Sequence, residues 1–270
     1  MSRGLIVLWV VLWGVLRREA LRFIGQRERF FAALVRPLVW LVIFAAGFRQ
    51  VLGVSIQPPY ETYVLYELYV VPGLCGMILL FSGMQGSLSM VYDQEMGSMR
   101  VLLVSPQPRW FLLCAKLVSI ALVALVQVVV FLAIARAWGV YWDPIGFLTV
   151  LPAAFLVGLM LGAFGLFLSS VVRSLENFAG IMNFVIFPMF FASSALYPIW
   201  RMQESSETLA WICRINPFTH AVELIRFALH RSMAWNELGV VLLCTAAFLA
   251  LSFRGYDPAK GFMARTGKGE

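Results

Sequence analysis

Polar residue types that could do chemistry are few in this sequence, and they cluster. The most polar internal stretch lies between residues 83 and 108, with the core Tyr92-Asp93-Gln94-Glu95-Met96-Gly97-Ser98-Met99-Arg100 followed by an apolar run and Pro106. On a helix, Asp93, Met96 and Arg100 share one face at i, i+3 and i+7, and Glu95 and Met99 share another. Both charge signs on a short amphipathic helix suit docking to a soluble partner rather than bond-making, and Pro106 would end the helix. A second stretch, 197–237, holds Tyr197-Pro198, Asn216-Pro217 and the pair Glu223/Arg226 at i, i+3. Its apolar pieces are too short to cross a bilayer. Such backbone is tolerated at membrane depth only where protein covers it or it lines a cavity. Within the apolar runs, Gln127 and Asn183 could each line a pathway or hydrogen-bond a neighbouring helix.

The usual catalytic sets are missing: there is no HExxH, no GxSxG and no carboxylate pair at a plausible depth. His220 and His230 are too few for a zinc site without thiolate or carboxylate help. The four cysteines form no CxxC and read as small apolar residues. The tail sequence GFMARTGKG, Gly261 to Gly269, imitates a phosphate-binding loop. Its glycine spacing is one residue too long, Gly269 stands where the hydroxyl belongs, and no strand and helix flank it. No catalytic residue, no metal site and no cofactor are expected in this chain.

The elements that must carry these residues are dominated by apolar side chains: 61% of the 270 residues are hydrophobic and only 13% are charged, against about a quarter charged in a soluble domain. The mean hydropathy is +0.85. A soluble globule would leave too much of this apolar surface in water, which excludes a soluble enzyme, a disordered chain and a disulfide scaffold. The expected fold is all-α: a polytopic membrane protein of six spans, at about 30–52, 64–82, 110–135, 145–171, 178–196 and 238–253. Twelve apolar residues, Leu5 to Leu16, would reach only ~18 Å as a helix, short of the ~30 Å hydrocarbon core. They run into Arg17, Arg18, Glu19, Arg22, Arg27 and Arg29, so 1–29 reads as an amphipathic helix lying in the membrane interface. A single leading Arg and the lack of a small-residue cleavage site argue against a signal peptide. Arg36, near the start of the first span, could snorkel back to the near surface. Tyr63, Tyr66 and Tyr69 read as an interfacial aromatic belt. The remaining parts are a cytoplasmic loop at 83–108, an external re-entrant segment at 197–237 and a tail at 254–270. With this threading the side bearing both termini holds 15 Lys and Arg against 6 on the other, which places both termini in the cytoplasm. The net charge of +7 therefore reflects topology in an inner membrane and not nucleic-acid binding.

Taken together, the pattern resembles the permease subunit of the ABC-2 type (type V exporter) family over nearly the whole chain. DQEMGSMRVLLVSP, Asp93 to Pro106, resembles the family's loop between spans two and three. INPFTHAVELIR, Ile215 to Arg226, resembles its Asn-Pro…Arg element before the last span. Arg100 departs from the pattern, since many members carry Glu there. The resemblance implies a homodimer of permeases driven by two separate ATPase subunits, with ATP and Mg bound on those partners. It implies that Arg17, Arg18, Arg22, Arg27, Arg29, Asp93, Glu95, Gly97 and Arg100 couple the permease to the ATPase. Glu95 would face a basic residue of the partner, and Gly97 would permit a close approach. The path would run between two protomers, lined by spans one, two and five. Tyr197, Pro198, Asn216, Pro217, Glu223 and Arg226 would gate its outer end. Apolar walls with few charges suit a hydrophobic or amphipathic cargo. The alternative, a self-contained secondary transporter or channel, would need buried Asp, Glu or His relays, and a membrane-embedded enzyme would need a catalytic set.

Overall fold

The computed structural model describes residues 3–25, 27–48, 53, 54, 58–60, 64–95, 108–172 and 174–255. Two helices open the chain, α1 (Arg3–Gly25) and α2 (Arg27–Phe48). A two-residue antiparallel pair follows, β1 (Gly53–Val54) with β2 (Val64–Leu65), within what the sequence presents as a plain loop. Then come α3 (Tyr66–Glu95), α4 (Arg109–Ala137), α5 (Pro144–Val171) and α6 (Leu175–Phe191). Three short helices, α7 (Ile199–Ser205), α8 (Glu207–Ile215) and α9 (Pro217–Leu229), precede α10 (Trp235–Gly255). Four helices are long and apolar enough to cross a membrane, over Tyr66–Tyr92, Trp110–Ala137, Pro144–Val171 and Trp235–Gly255. The apolar stretches of α2 and α6, Ala33–Ile43 and Leu175–Phe191, are shorter. The chain is thus a mostly helical, multi-pass membrane protein.

Local chemistry starts several of these helices. Asp143 caps α5 by accepting from Ile145 N, with Pro144 at the first helical position. Ser174 caps α6, Ser206 caps α8, and Asn216 with Pro217 starts α9. In each case a side-chain oxygen satisfies an orphan N–H of the first turn, and in α5 and α9 proline removes a donor that would have had no partner.

Helix α3 is the hub: α2, α4, α5, α6 and α9 all pack on it. The expected end of the second span at residue 82 falls inside this helix, which continues unbroken to Glu95. The residues Gly83-Met84-Gln85-Gly86-Ser87 read as a loop, but Gly83, Gly86 and Ser87 serve close packing. A Cβ on Gly83 would stand 2.9 Å from the Leu161 backbone, and one on Gly86 would stand 2.7 Å from the Ile120 side chain. From the facing helix α5, a Cβ on Gly165 would meet Ser87 Oγ at 2.6 Å and the Gly83 carbonyl at 2.8 Å. Small residues let membrane helices approach backbone to backbone. Gly158 and Gly162 do the same for α5 against α4, meeting Ala121 and Leu117.

Two further boundaries shift. Helix α6 stops at Phe191, short of the expected 196, because residues 192–197 form a turn in which Ser193 Oγ donates to the Phe190 carbonyl and accepts from Ala195 N. The aromatic belt reading is corrected for Tyr66 and Tyr69. Both are buried, at 2% and 0% exposure, and their hydroxyls enter the site described next. Tyr63 lies outside the described residues.

Candidate functional site

The residues expected at an outer gate gather around that 192–197 turn, whose carbonyl oxygens are claimed by side chains from two other elements. Tyr66 and Tyr69, one turn apart on α3, donate to the Leu196 carbonyl at 2.7 Å and the Ser194 carbonyl at 3.0 Å. Arg226, on α9, donates through Nη2 to the same Ser194 carbonyl at 2.9 Å. Asn216 donates through Nδ2 to the Met189 and Ala192 carbonyls, at 2.7 and 2.6 Å, while its Oδ1 accepts from Phe218 N. Close to the turn, Gly73 lets α3 pass where a Cβ would overlap the Ala195 carbonyl.

Among the described residues Arg226 is the largest fully buried side chain, at 1% exposure. A buried guanidinium is tolerated only when paired and hydrogen-bonded. Glu223, one turn back on α9, supplies the carboxylate. The Tyr69 ring lies beneath the charge, 4.1 Å from Cζ to centroid, the geometry of a cation–π contact. Tyr60 closes the cluster, its ring 6.2 Å from Tyr69 and edge-on to His230 at 4.7 Å.

Of the six residues expected at an outer gate, Asn216, Glu223 and Arg226 therefore meet at one turn, and Pro217 starts the helix that carries two of them. Pro198 caps α7 just beyond the turn. Tyr197 is exposed, at 37%. Sequence reasoning misses Tyr60, Tyr66, Tyr69 and Ser194. The i, i+3 spacing of Tyr66 and Tyr69 is the one signal for them, since it puts both hydroxyls on one face of a helix.

Two latches tie α9 to its neighbours, one beyond its last residue and one in its first turn. Asp143 pairs with Arg231 at 2.9 Å. The Ile145 N–H, and then the Arg231 guanidinium, hold its carboxyl below the usual range. His220 pairs through Nδ1 with Glu237 in the first turn of α10, and its Nε2 lies 2.9 Å from the Arg214 carbonyl. The hydrogen bond to Glu237 holds the imidazole above its ordinary value.

At the opposite face, Glu95 ends α3 and its Oε2 accepts from Leu175 N, the first residue of α6, at 3.2 Å. A carboxylate at a helix N-terminus is favoured by the helix dipole. Glu95 is expected from the sequence to face a partner protein; it is exposed, and one of its oxygens ties two helices of this chain together. Arg17 and Arg18 are exposed on α1, where Arg18 pairs with Glu19 at 3.1 Å. Arg22, Arg27, Arg29 and Asp93 fall on helical backbone, with side chains outside the description, and Gly97 and Arg100 lie outside the described residues. Gln127 is a helix contact: it is buried on α4 and accepts from Ser82 of α3. Asn183 is exposed on α6 beside Phe184, itself 79% exposed. Among the described residues no three His, Cys, Asp or Glu side chains converge as a metal site would need.

The family model described as ABC-2 type transporter matches residues 10–230. The chain belongs to the ABC-2 type transporter family. That ABC-2 match embraces both the Glu95 contact and the 192–197 turn with its partners. A relative from Escherichia coli strain K12, named "Probable multidrug ABC transporter permease YbhR", is 31% identical over 191 residues, 69% of this chain and 51% of the relative. This ABC-2 chain thus spans about half the length of that curated relative. It is also similar to the transport permease ycf38 of Cyanophora paradoxa, 26% identical over 222 residues, covering 79% of this chain and 72% of the relative. The ycf38 chain of Porphyra purpurea is 24% identical over 212 residues, 76% of this chain and 68% of the relative.

Proposed function

We propose that this chain is the permease half of an ATP-driven exporter. Two copies form the path, and a separate ATP-binding cassette subunit, holding ATP and Mg, supplies the energy. In this reading α2 and α6 complete a six-span bundle with the four long helices, α1 lies in the cytoplasmic interface, and both termini face the cytoplasm across an inner membrane. The path lies between protomers, along the exposed faces of α2 and α6. The cargo is hydrophobic or amphipathic, because those faces carry Val35, Val39, Ile43, Phe184 and Phe187 and few polar groups.

The observation that carries the reading is that α3 holds α6 at both ends. Glu95 grips the first residue of α6, and Tyr66 and Tyr69 grip the turn after its last. Glu95 sits in the loop motif that resembles the family's coupling loop. A push delivered there by an ATPase would move α3 and α6 as one body and carry the 192–197 turn with them. Asp93, Gly97, Arg100 and the arginines of α1 and α2 would receive that push. Asn216, Glu223 and Arg226 would pass it on to the outer helices.

The test is reconstitution in vesicles with and without the ATPase. Transport should require both ATP and the partner, and full transport by this chain alone would overturn the reading. Topology is checked separately. A cysteine at Ser206 should react with an impermeant thiol reagent from outside, and one at Ser98 should not.

A further inference from the structure

Arg36 stacks on the neighbouring helix. Its guanidinium carbon lies 3.9 Å from the centroid of the Phe81 ring on α3. Phe81 is the sixteenth residue of the Tyr66–Glu95 helix, roughly 22 Å from its outer end at 1.5 Å per residue. That is the middle of the stretch Tyr66–Tyr92 able to cross the membrane. A guanidinium at that depth is costly, and side chains that bear such a cost line paths or bind ligands.

Three observations say what would stand opposite it. The Phe81 ring orients the charge without neutralising it. Among the described residues no carboxylate pairs with Arg36, whose side chain is exposed on the surface of the bundle. A second copy of this chain offers none at that depth either. Of the six helices of the proposed bundle, α2, α3, α6 and α10 carry Asp or Glu only near their ends, and α4 and α5 carry none. Beside the charge α2 is apolar, with Val39 and Ile43 exposed on the same face and Val35 exposed next to it. A cation set in an apolar wall fits a molecule with an anionic head and an apolar body.

We propose that Arg36 is an anion-recognition site that selects amphipaths bearing a phosphate or carboxylate head. As the ligand site of an exporter's path this rests on the permease reading; as a binding site it stands alone. A charge-assisted hydrogen bond of about 1.5–3 kcal/mol corresponds to a preference of about tenfold or more.

The experiment places the purified chain in phosphatidylcholine nanodiscs, without ATP or ATPase. It follows tryptophan-to-pyrene energy transfer on titration with pyrene-labelled dodecyl phosphate and pyrene-labelled dodecyl trimethylammonium. The wild type should prefer the phosphate by about tenfold. Arg36→Gln should lose that preference with unchanged thermal stability, and Arg36→Lys should retain part of it. Equal affinities in the wild type, or an undiminished preference in Arg36→Gln, would overturn the proposal. Repeating the titration with phosphatidylglycerol in the disc separates the sources of the anion. Competition identifies a bilayer headgroup at Arg36 and its absence identifies a free amphipath, and either outcome keeps the anion site. Loss of binding here would leave ATP-driven transport untouched as a question, so the two readings fail separately.

Discussion

Arg226 and Tyr69 share one acceptor: the guanidinium and the phenol both donate to the Ser194 carbonyl, while Arg226 Cζ lies 4.1 Å over the Tyr69 ring. One backbone oxygen thus joins α3, α9 and the turn after α6. The charge that makes this possible is balanced within α9 by Glu223.

Removing half of a buried ion pair leaves the other half uncompensated. Arg226→Ala should therefore lower stability by about 3–5 kcal/mol. Tyr66→Phe, which removes one hydroxyl donor, should cost about 1 kcal/mol. Thermal unfolding of the purified chain in one detergent, followed by intrinsic fluorescence, compares them. An Arg226→Ala protein as stable as Tyr66→Phe would mean the buried pair does not hold the turn.

Glycine substitutions give an internally controlled pair. Gly73→Ala forces a methyl into the Ala195 carbonyl, whereas Gly239 on α10 has open space around it. Overpacking at Gly73 should cost about 1–3 kcal/mol, and Gly239→Ala should be neutral or stabilise by up to about 1 kcal/mol. Melting temperatures in the opposite order would refute the close approach of α3 to the turn.

Glu95 offers a chemical distinction between its two possible jobs. Glu95→Gln keeps an oxygen for Leu175 N, and Glu95→Ala does not. Both proteins should insert normally. ATP-linked transport should fall in Glu95→Ala and stay near wild type in Glu95→Gln. Equal loss in both would assign the role to the charge, and normal transport in both would remove Glu95 from coupling.

The His220–Glu237 latch should depend on pH. Because His220 is raised above 6.5 by its partner, its stabilising contribution is complete below that value and is lost as pH rises through the folded-state pKa. Glu223 and Arg214 are the other charged residues near the imidazole, Arg214 through its backbone carbonyl. The difference in melting temperature between wild type and His220→Asn should shrink towards alkaline pH. A difference that stays flat would show that the pair carries no charge.

Much of this arrangement is legible in the amino-acid sequence, for identifiable reasons. Long unbroken apolar runs announce α4 and α5 by length alone, and Asn216-Pro217 announces the start of α9 because cap and proline act locally. Residues 83–95 of α3 stay hidden because Gly83, Gly86 and Ser87 are the same residues whether a chain turns or packs tightly. Tyr66 and Tyr69 mislead because an amphipathic ring suits a headgroup layer and a buried carbonyl equally well. The acceptors at Ser194 and Leu196 are backbone oxygens, which every residue has and no side-chain pattern marks. Arg36 reads as a surface-seeking charge because its depth depends on which neighbour it stacks on, a tertiary fact.

Helix α6 is fastened to α3 at its first residue and again just past its last. A seam stitched at both ends cannot unzip to admit solvent or cargo. In the proposed permease, a cleft beside α6 would therefore open on its opposite flank, where Asn183, Phe184 and Phe187 stand bare, and the α3–α6 pair would swing as a single leaf.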